Sequence, residues 1–244
     1  MATKKDMVTE FDFPAGRKIS GKYEIIARVG SGYEGEVYMI AETATGIERA
    51  AKFFFPHRNP SNKNARRYAQ KLHKLRHCDI LIQYHHQERV RFKNHDVACL
   101  ISDFVEGDLL SGILRQAKGK RMPVYEAIHL LYAMVIGVEK IHAVGEYHGD
   151  LHTDNVFVQK YGVGFNVKLI DLFHHRDTKL QNMQFDILNL IKIFYESIGG
   201  KKHYAGHPQE VKDIVCGLRV TSINKRFRTI AKLRQHLESI EWEM

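Results

Sequence analysis

Short apolar runs alternate with glycine and polar turns in the first hundred residues. Over residues 23–55 the alternation of apolar and polar positions is typical of β-strands, and an Ala-Thr-Gly turn at 44–46 interrupts it. Two further β-type runs, at 83–92 and 96–106, are joined by a polar turn at Lys93. The pattern predicts an antiparallel meander and a second strand pair, which together make five strands.

One helix is predicted within this region. Pro56 and Pro60 end the meander, and Ser61 or Asn62 can cap a helix that runs to about His77. The helix lies in a basic segment, because residues 57–77 contain no Asp or Glu. Such runs usually only solubilise a helix face, and the alternative is a surface for an acidic partner. Its apolar positions recur at helical spacing at Tyr68, Leu72 and Leu75.

After Gly107 the apolar spacing changes to the helical period. Short runs at 155–159 and 166–171 predict a small hairpin between the helices. We therefore expect a flexible lead-in over residues 1–18, a strand-rich part over 19–106 and a helical part over 107–244. The predicted helices cover 109–117, 123–144 and 182–198, with two more within 208–237. The helix over 182–198 is expected to carry Phe185, Leu188, Ile191 and Phe194 on one side.

Composition limits the class of protein. The chain has 244 residues, a net charge of +9 and three cysteines without CxxC spacing, so neither a disulfide framework nor a zinc site is expected. The longest apolar stretch, 127–138, is short and contains a histidine, and the N-terminus lacks the apolar run of a signal peptide. The sequence predicts a cytoplasmic protein without a membrane span. Its positive charge permits attraction to nucleic acid but does not by itself favour such a partner.

A glycine loop is the first candidate for chemistry. Gly30, Gly32 and Gly35 form a GxGxxG pattern that would let the backbone approach phosphates closely. In a dinucleotide-binding fold a helix would follow directly, whereas here a strand follows, so the loop is expected within a hairpin. The next strand carries Lys52 after Ala50 and Ala51, and its apolar neighbours indicate that the lysine points inward.

Two polar motifs follow in the helical half. HGDLHTDN at 148–155 contains Asp150 and Asn155, and IDLF at 170–173 places Asp171 after an apolar strand. Each residue alone could simply cap a turn or end a strand. Their order and spacing behind a glycine loop and a lysine favour transfer of a phosphoryl group from a magnesium nucleotide.

With these motifs the chain resembles the protein-kinase-like superfamily from Ile19 to about Leu237. The resemblance implies an α+β, bilobal fold, with a five-stranded antiparallel sheet and one helix in the first lobe and a mainly helical second lobe. The segment around Asp186 resembles the central helix of the second lobe, where this Asp would brace the loop at 148–155. Ser102 would be a small residue at the back of the adenine site.

The resemblance also implies roles for individual residues. Asp150 would be the base that orients the substrate hydroxyl, Asn155 and Asp171 would hold Mg²⁺, and Lys52 would orient the phosphates of ATP. His152 stands where protein-serine kinases have a lysine near the γ-phosphate. The other residues implied to contact ATP are Gly30, Gly32, Gly35, Val37, Ala50, Asp103, Val105 and Phe157.

The chain also departs from the family pattern. The helix after Lys52 lacks the expected Glu, and helical spacing puts Tyr68 at that site, so Lys52 needs another partner, such as Asp171 or the phosphates. Gly149 replaces an Arg and Phe173 a flexible Gly. The segment from Asp171 to Asp186 is too short for a full activation loop, and Thr178 is its one hydroxyl residue.

The leading interpretation is an ATP- and Mg²⁺-dependent kinase that phosphorylates Ser and Thr of proteins, itself included. A small-molecule kinase of the aminoglycoside or choline kinase type is an alternative, because HGD occurs there. A catalytically silent nucleotide-binding scaffold is a second alternative, because the helix Glu is absent. An acidic partner at the basic helix would be a further expected interaction.

Overall fold

The computed structural model describes residues 7–162 and 164–241 and divides into two compact units. The first unit comprises residues up to Arg76 together with Ile82–Val105, and the second comprises His77–Leu81 together with the chain from Glu106 onward. The change from one unit to the other after Val105 falls one residue before the expected boundary. The short segment 77–81 was not expected in the second unit, where Leu81 bridges to Leu169.

The first unit contains a six-stranded antiparallel sheet in the order β1-β2-β3-β4-β6-β5. The prediction of five strands is wrong by one, because Lys18 and Ile19 pair with Glu24 and Tyr23 and add a short edge strand. The elements are β1 Lys18–Ile19, β2 Tyr23–Ser31, β3 Gly35–Glu42, β4 Glu48–Phe54, α1 Lys63–Lys74, β5 Tyr84–Phe92 and β6 His95–Asp103.

Helix α1 is capped differently from the prediction. The side-chain oxygen of Asn59 accepts hydrogen bonds from the backbone N–H groups of Asn64 and Ala65, both at 3.1 Å. Asn62 has a left-handed backbone and makes no side-chain cap. A helix start leaves backbone N–H groups without intrahelical partners, and Asn59 satisfies two of them across a short 3₁₀ turn. The expected apolar stripe is confirmed, since its residues are buried: Tyr68, Leu72 and Leu75.

Side-chain alternation gives the sheet of the first unit two different faces. One face is an aromatic and aliphatic core in which Tyr38 and Phe53 are fully buried. Phe11 and Phe13 pack onto that face, with ring centroids 5.9 Å and 5.0 Å from Phe53. This packing differs from the expected lead-in, which treated residues 1–18 as flexible. Residues 1–6 of that lead-in lie outside the described residues.

The second unit is mainly helical and carries a three-stranded sheet in the order β7-β8-β9. Its elements are β7 Asp108–Leu109, α2 Leu110–Gln116, α3 Val124–Ala143, β8 Val156–Tyr161, β9 Gly164–Leu169, α4 Lys179–Ser197, α5 Gly200–Tyr204, α6 Gln209–Val215, α7 Val220–Arg226 and α8 Ile230–Glu238. The predicted hairpin is confirmed as β8 and β9. Three helices rather than two follow Pro208, and Phe185 is 50% exposed on α4 rather than part of a buried side. None of the helices within the described ranges is long and apolar enough to cross a bilayer.

Candidate active site

The glycine loop lies within the hairpin of β2 and β3, as predicted. Gly32 donates its N–H to the carbonyl of Gly35 at 2.9 Å, which closes the turn. A Cβ on Gly35 would stand 1.8 Å from the carbonyl oxygen of Phe53, so only glycine lets β3 approach β4 here. A Cβ on Gly30 or Gly32 would meet no protein atom within 4 Å. The open side of the loop is therefore at Gly30 and Gly32.

Strand register groups the candidate residues of the first unit. Val37 pairs with Lys52 across β3 and β4, and Ala50 pairs with Ser102 across β4 and β6. Because side chains two apart share a face, Val37, Ala50 and Lys52 lie on the face opposite the aromatic core. The lysine side chain is only 14% exposed, which confirms that it points inward.

Lys52 lies against a carboxylate and two rings. Its Nζ is 3.1 Å from Oε2 of Glu34 in the glycine loop. The same Nζ lies 4.8 Å from the ring centroid of Tyr68 and 5.4 Å from that of Phe54, within cation–π range. Tyr68 thus occupies the helix position that spacing predicted. Glu34 is not among the residues predicted from the sequence, although it is the one carboxylate inside the GxGxxG loop.

The segment implied to contact adenine begins at the end of β6. The backbone N–H of Asp103 donates to the carbonyl of Gln83 at 3.0 Å, and its carbonyl accepts a long hydrogen bond from the Ser102 hydroxyl at 3.4 Å, which leaves the second lone pair of that carbonyl for a ligand. The Asp103 carboxylate contacts His85 at 2.7 Å and Arg49 at 3.5 Å. Val105 follows the strand and is half-buried.

The loop at 148–155 in the second unit is held by a buried acid. Asp186 on α4 is fully buried and accepts the backbone N–H groups of His148 at 2.7 Å and Gly149 at 2.9 Å. The Nε2 of His142 lies 3.1 Å from the same carboxylate. Charge-assisted hydrogen bonds of this kind fix the loop backbone directly before Asp150.

Asn155 links the two polar motifs. Its amide nitrogen donates to the backbone carbonyl of Asp150 at 2.8 Å and to the Asp150 carboxylate at 3.2 Å. Its backbone carbonyl accepts the N–H of Ile170 at 3.1 Å, which positions the next residue, Asp171. Asp171 has a left-handed backbone with φ of 59°, a conformation that non-glycine residues rarely adopt outside turns and functional sites. The structure therefore brings Asp150, Asn155 and Asp171 together, while Phe157 lies on β8 opposite Lys168.

Gly149 is required by the packing around it. Its φ is 91°, and an added Cβ would lie 2.7 Å from the carbonyl oxygen of Phe173. The N–H of Phe173 donates to the carbonyl of His148 at 3.0 Å, and the Nε2 of His175 donates to the carbonyl of Gly149 at 2.6 Å. The segment after Asp171 thus occupies the space that an Arg at position 149 would need.

The pKa values of Asp150 and His152 in this loop are displaced in opposite directions. Burial acts to raise the pKa of Asp150, but the contact with His152, the charges of His152 and His148, and the amide of Asn155 outweigh it and lower the pKa. The pKa of His152 is raised, chiefly by its polar contact with Asp150, against a smaller opposing effect of burial. The charges of Asp154 and Asp171 raise it further. The backbone N–H of Asp154 donates to Nδ1 of His152 at 3.2 Å and favours the neutral ring, but the three carboxylates dominate.

The oxygen donors at this loop suit a hard divalent cation. The amide nitrogen of Asn155 is held by Asp150, which leaves the amide oxygen as its donor, and Asp171 offers a carboxylate. Within the described parts of the chain, no group of three or more His, Cys, Asp or Glu residues could hold a metal on its own. Two protein oxygen donors match the way Mg²⁺ is usually held, with the substrate phosphates completing the shell.

A glycine hairpin with an inward lysine in one unit, and a braced HGD loop in the other, define the class of eukaryotic-like kinase folds. The family model described as the protein kinase domain matches residues 23–182. This match covers more than half of the chain, which belongs to the protein kinase domain family.

The relatives of this chain include serine/threonine-protein kinases. The chain is 30% identical over 162 residues to serine/threonine-protein kinase pkn2 of Myxococcus xanthus, covering 65% of this chain and 18% of that protein. It is 27% identical over 159 residues to serine/threonine-protein kinase PrkC of Bacillus subtilis (strain 168), covering 64% of this chain and 23% of the relative. The chain therefore spans about a fifth of the length of these two relatives.

Solved structures share the fold. The PknI kinase domain of Mycobacterium tuberculosis, in a mutant form, superimposes with a TM-score of 0.67 at 16% identity, covering 93% of this chain and 97% of that chain. This likeness supports the protein kinase fold.

Proposed function

We propose that this chain is an ATP-dependent kinase that phosphorylates serine and threonine hydroxyls of proteins, including its own. The observation that carries the proposal is the double hold on the loop at 148–155. Asp186 fixes its backbone from one side, and Asn155 fixes the carboxylate and carbonyl of Asp150 from the other. A scaffold without chemistry has no need of an oriented, ionised carboxylate in this place.

In this proposal Asp150 accepts the proton of the substrate hydroxyl. Its lowered pKa keeps it ionised at neutral pH, and positioned general bases contribute about a hundredfold or more to rate. His152 adds a positive charge near the transferred phosphoryl group when protonated. In the first unit Lys52 holds phosphate oxygens of ATP, while the backbone at Gly30 and Gly32 approaches them.

The adenine end of ATP is assigned to the first unit. The carbonyl of Asp103 and the N–H of Val105 would hydrogen-bond the ring, and Val37 and Ala50 would contact it from the sheet face that they share. The half-buried state of Val37 and Ala50 on one sheet face supports this assignment.

Mg²⁺ would be held by the amide oxygen of Asn155 and the carboxylate of Asp171. When bound, it neutralises negative charge on the phosphate oxygens. The protein residues act independently of that charge in two ways. Asn155 keeps Asp150 aimed, and the left-handed backbone at Asp171 ends the extended course of the chain shortly after β9.

Protein is the proposed acceptor because the relatives named above are protein kinases. A cytoplasmic location is also part of the proposal, supported by three cysteines that carry free thiols in the structure. The proposed function does not require an acidic partner at α1, because Glu34 of the same unit already supplies a carboxylate at Lys52.

The test is transfer of radioactive γ-phosphate from ATP to the chain and to a generic basic protein in the presence of Mg²⁺. Wild-type protein should label both, and Asp150→Asn should lower labelling by at least about a hundredfold. Asp177→Asn is the matched control, because Asp177 is exposed and has no assigned role. Labelling that survives Asp150→Asn would disprove the assigned base, and wild-type protein that binds ATP without transferring phosphate would be a scaffold.

A further inference from the structure

The glycine loop of this chain carries a carboxylate at a position that faces Lys52. Glu34 is the last residue before β3, and its Oε2 lies 3.1 Å from Nζ of Lys52. The two side chains are 24% and 14% exposed, so the pair is largely shielded from water. An ion pair in such a position is stronger than one at the open surface, where screening removes most of its value.

The loop backbone holds Glu34 in this orientation. Its carbonyl accepts the N–H of Phe55 at 2.9 Å, which fixes the end of the loop to the chain directly after β4. The neighbouring Tyr33 points elsewhere, because its ring stacks on the guanidinium of Arg58 at 3.8 Å and its hydroxyl accepts a hydrogen bond from the same group. Residues 33 and 34 are thus fastened to different partners.

Two aromatic rings also lie against the Lys52 ammonium. Helix α1 offers the face of Tyr68 instead of a carboxylate, and Phe54 adds a second ring. A ring face attracts an ammonium but does not direct it along one line, whereas a carboxylate oxygen at hydrogen-bond distance does. Glu34 therefore gives this ammonium a directional contact.

We propose that Glu34 is a positioning residue, which holds the Lys52 ammonium in its working orientation in place of the acid that α1 lacks. The inference rests on the proposed function, in which Lys52 holds phosphate oxygens of ATP. Because the carboxylate and the phosphates are both anions at one ammonium, Glu34 also opposes nucleotide binding. Glu34 therefore fixes the orientation of Lys52 and at the same time lowers the affinity for ATP.

The first test is the split between kcat and KM in Glu34→Gln, which keeps the shape of the side chain and removes its charge. We expect kcat to fall about fivefold or more, since Lys52 loses its orientation, and KM for ATP to fall or stay constant, since an anion is removed. Glu48→Gln is the matched control, because Glu48 is exposed on the same sheet. A kcat that stays at the wild-type value or rises in Glu34→Gln would overturn the proposal.

Rescue separates positioning from a merely structural role. Tyr68→Glu places a carboxylate on α1 beside Lys52, so in the Glu34→Gln background it should restore at least half of the lost kcat. A structural defect at the loop would not respond to a charge on the helix. If the double variant folds, as judged by its thermal transition, and is no faster than Glu34→Gln, Glu34 does not act by orienting the lysine.

A readout without activity keeps this inference separate from the proposed function. A carboxylate beside an ammonium stabilises its charged form, which does not react with amine-acylating reagents. At pH 8 Lys52 of Glu34→Gln should therefore be acylated about two- to fivefold faster than in wild type, as followed by peptide mass spectrometry. The exposed Lys192 serves as the internal reference. An unchanged rate at Lys52 refutes the ion pair whether or not the protein transfers phosphate, while a faster rate in an inactive protein leaves the pair intact and removes the proposed function.

Discussion

Two titratable residues of one short loop have pKa values displaced in opposite directions. Asp150 lies below its ordinary value and His152 above it, chiefly through their mutual contact, and Oδ2 and Nε2 are 3.7 Å apart. These opposite shifts assign roles to the two residues. The Asp150 carboxylate, which stays deprotonated, serves as the base, and the His152 imidazole, when protonated, serves as a cation. The sequence showed both residues, but only the fold shows that Asp154 and Asp171 also raise the pKa of His152.

The rate of phosphate transfer should depend on pH through the ionisation of His152. A raised pKa means that the imidazolium is present below that pKa and is lost as pH rises through it, above the ordinary value of about 6.5. We expect kcat to fall roughly tenfold over this interval, because a positive charge near the phosphoryl oxygens disappears. The measurement is kcat at saturating ATP between pH 6 and pH 9.

His152→Lys should abolish this decline, since lysine stays protonated to about pH 10. His152→Gln should be slow at every pH and show no decline. A decline of the wild-type kind in either variant would assign the titration to another group.

Helix α4 begins with a side-chain cap and also carries a residue that holds the loop at 148–155. Thr178 caps its first turn and forms a reciprocal capping box with Gln181. About two turns later the same helix presents Asp186 to the loop at 148–155. Thr178, the one hydroxyl residue between Asp171 and Asp186, thus has a structural role.

Thr178→Ala should lower the free energy of unfolding by about 1 kcal/mol, because a helix N-terminal N–H loses its acceptor. Urea unfolding followed by circular dichroism measures the change. Thr178→Ser keeps the hydroxyl and should stay within a few tenths of a kcal/mol of wild type. Equal loss in both variants would mean that the threonine methyl, rather than the cap, stabilises α4.

Alternation and helical spacing predicted most elements but not their ends. Strand β1 was missed because two residues give no period, and it exists only through pairing with β2. The cap of α1 was placed at Ser61 or Asn62, whereas Asn59 reaches forward through a 3₁₀ turn that no local pattern marks. Phe185 fits an apolar spacing on α4 but is half exposed, since neighbouring positions face the core instead.

Across the whole chain, motif order predicted the fold family, while the contacts of single residues depended on three-dimensional register. Glu34 illustrates the limit. Its place in the glycine loop was visible, but the direction of its side chain follows from the start of β3 and from the anchor at Phe55. The pairing of Val37 with Lys52 likewise needed the register of two strands.

The structure differs most from the sequence-based expectation in the N-terminal segment, which packs on the sheet instead of being flexible. Asp12, between Phe11 and Phe13, has a left-handed backbone with φ of 47°, and the two phenylalanine rings stack with centroids 5.3 Å apart. Phe11 is 3% exposed, and four aromatic rings lie within 5.9 Å of its centroid: Phe13, Phe53, Phe55 and Phe92. We expected residues 1–18 to be flexible, and a left-handed residue between the two rings leaves no regular period that a sequence pattern could reveal.

Phe11→Ala should therefore lower the free energy of unfolding of the first unit by about 3 kcal/mol or more, because a buried ring is lost and its neighbours cannot close the space. Phe185→Ala, at a phenylalanine that is 50% exposed, should change it by no more than about 1 kcal/mol. Urea unfolding of both variants measures the contrast. Equal losses would show that the segment contributes no more to stability than a surface side chain, and the sheet face that it covers would then have to be stable without it.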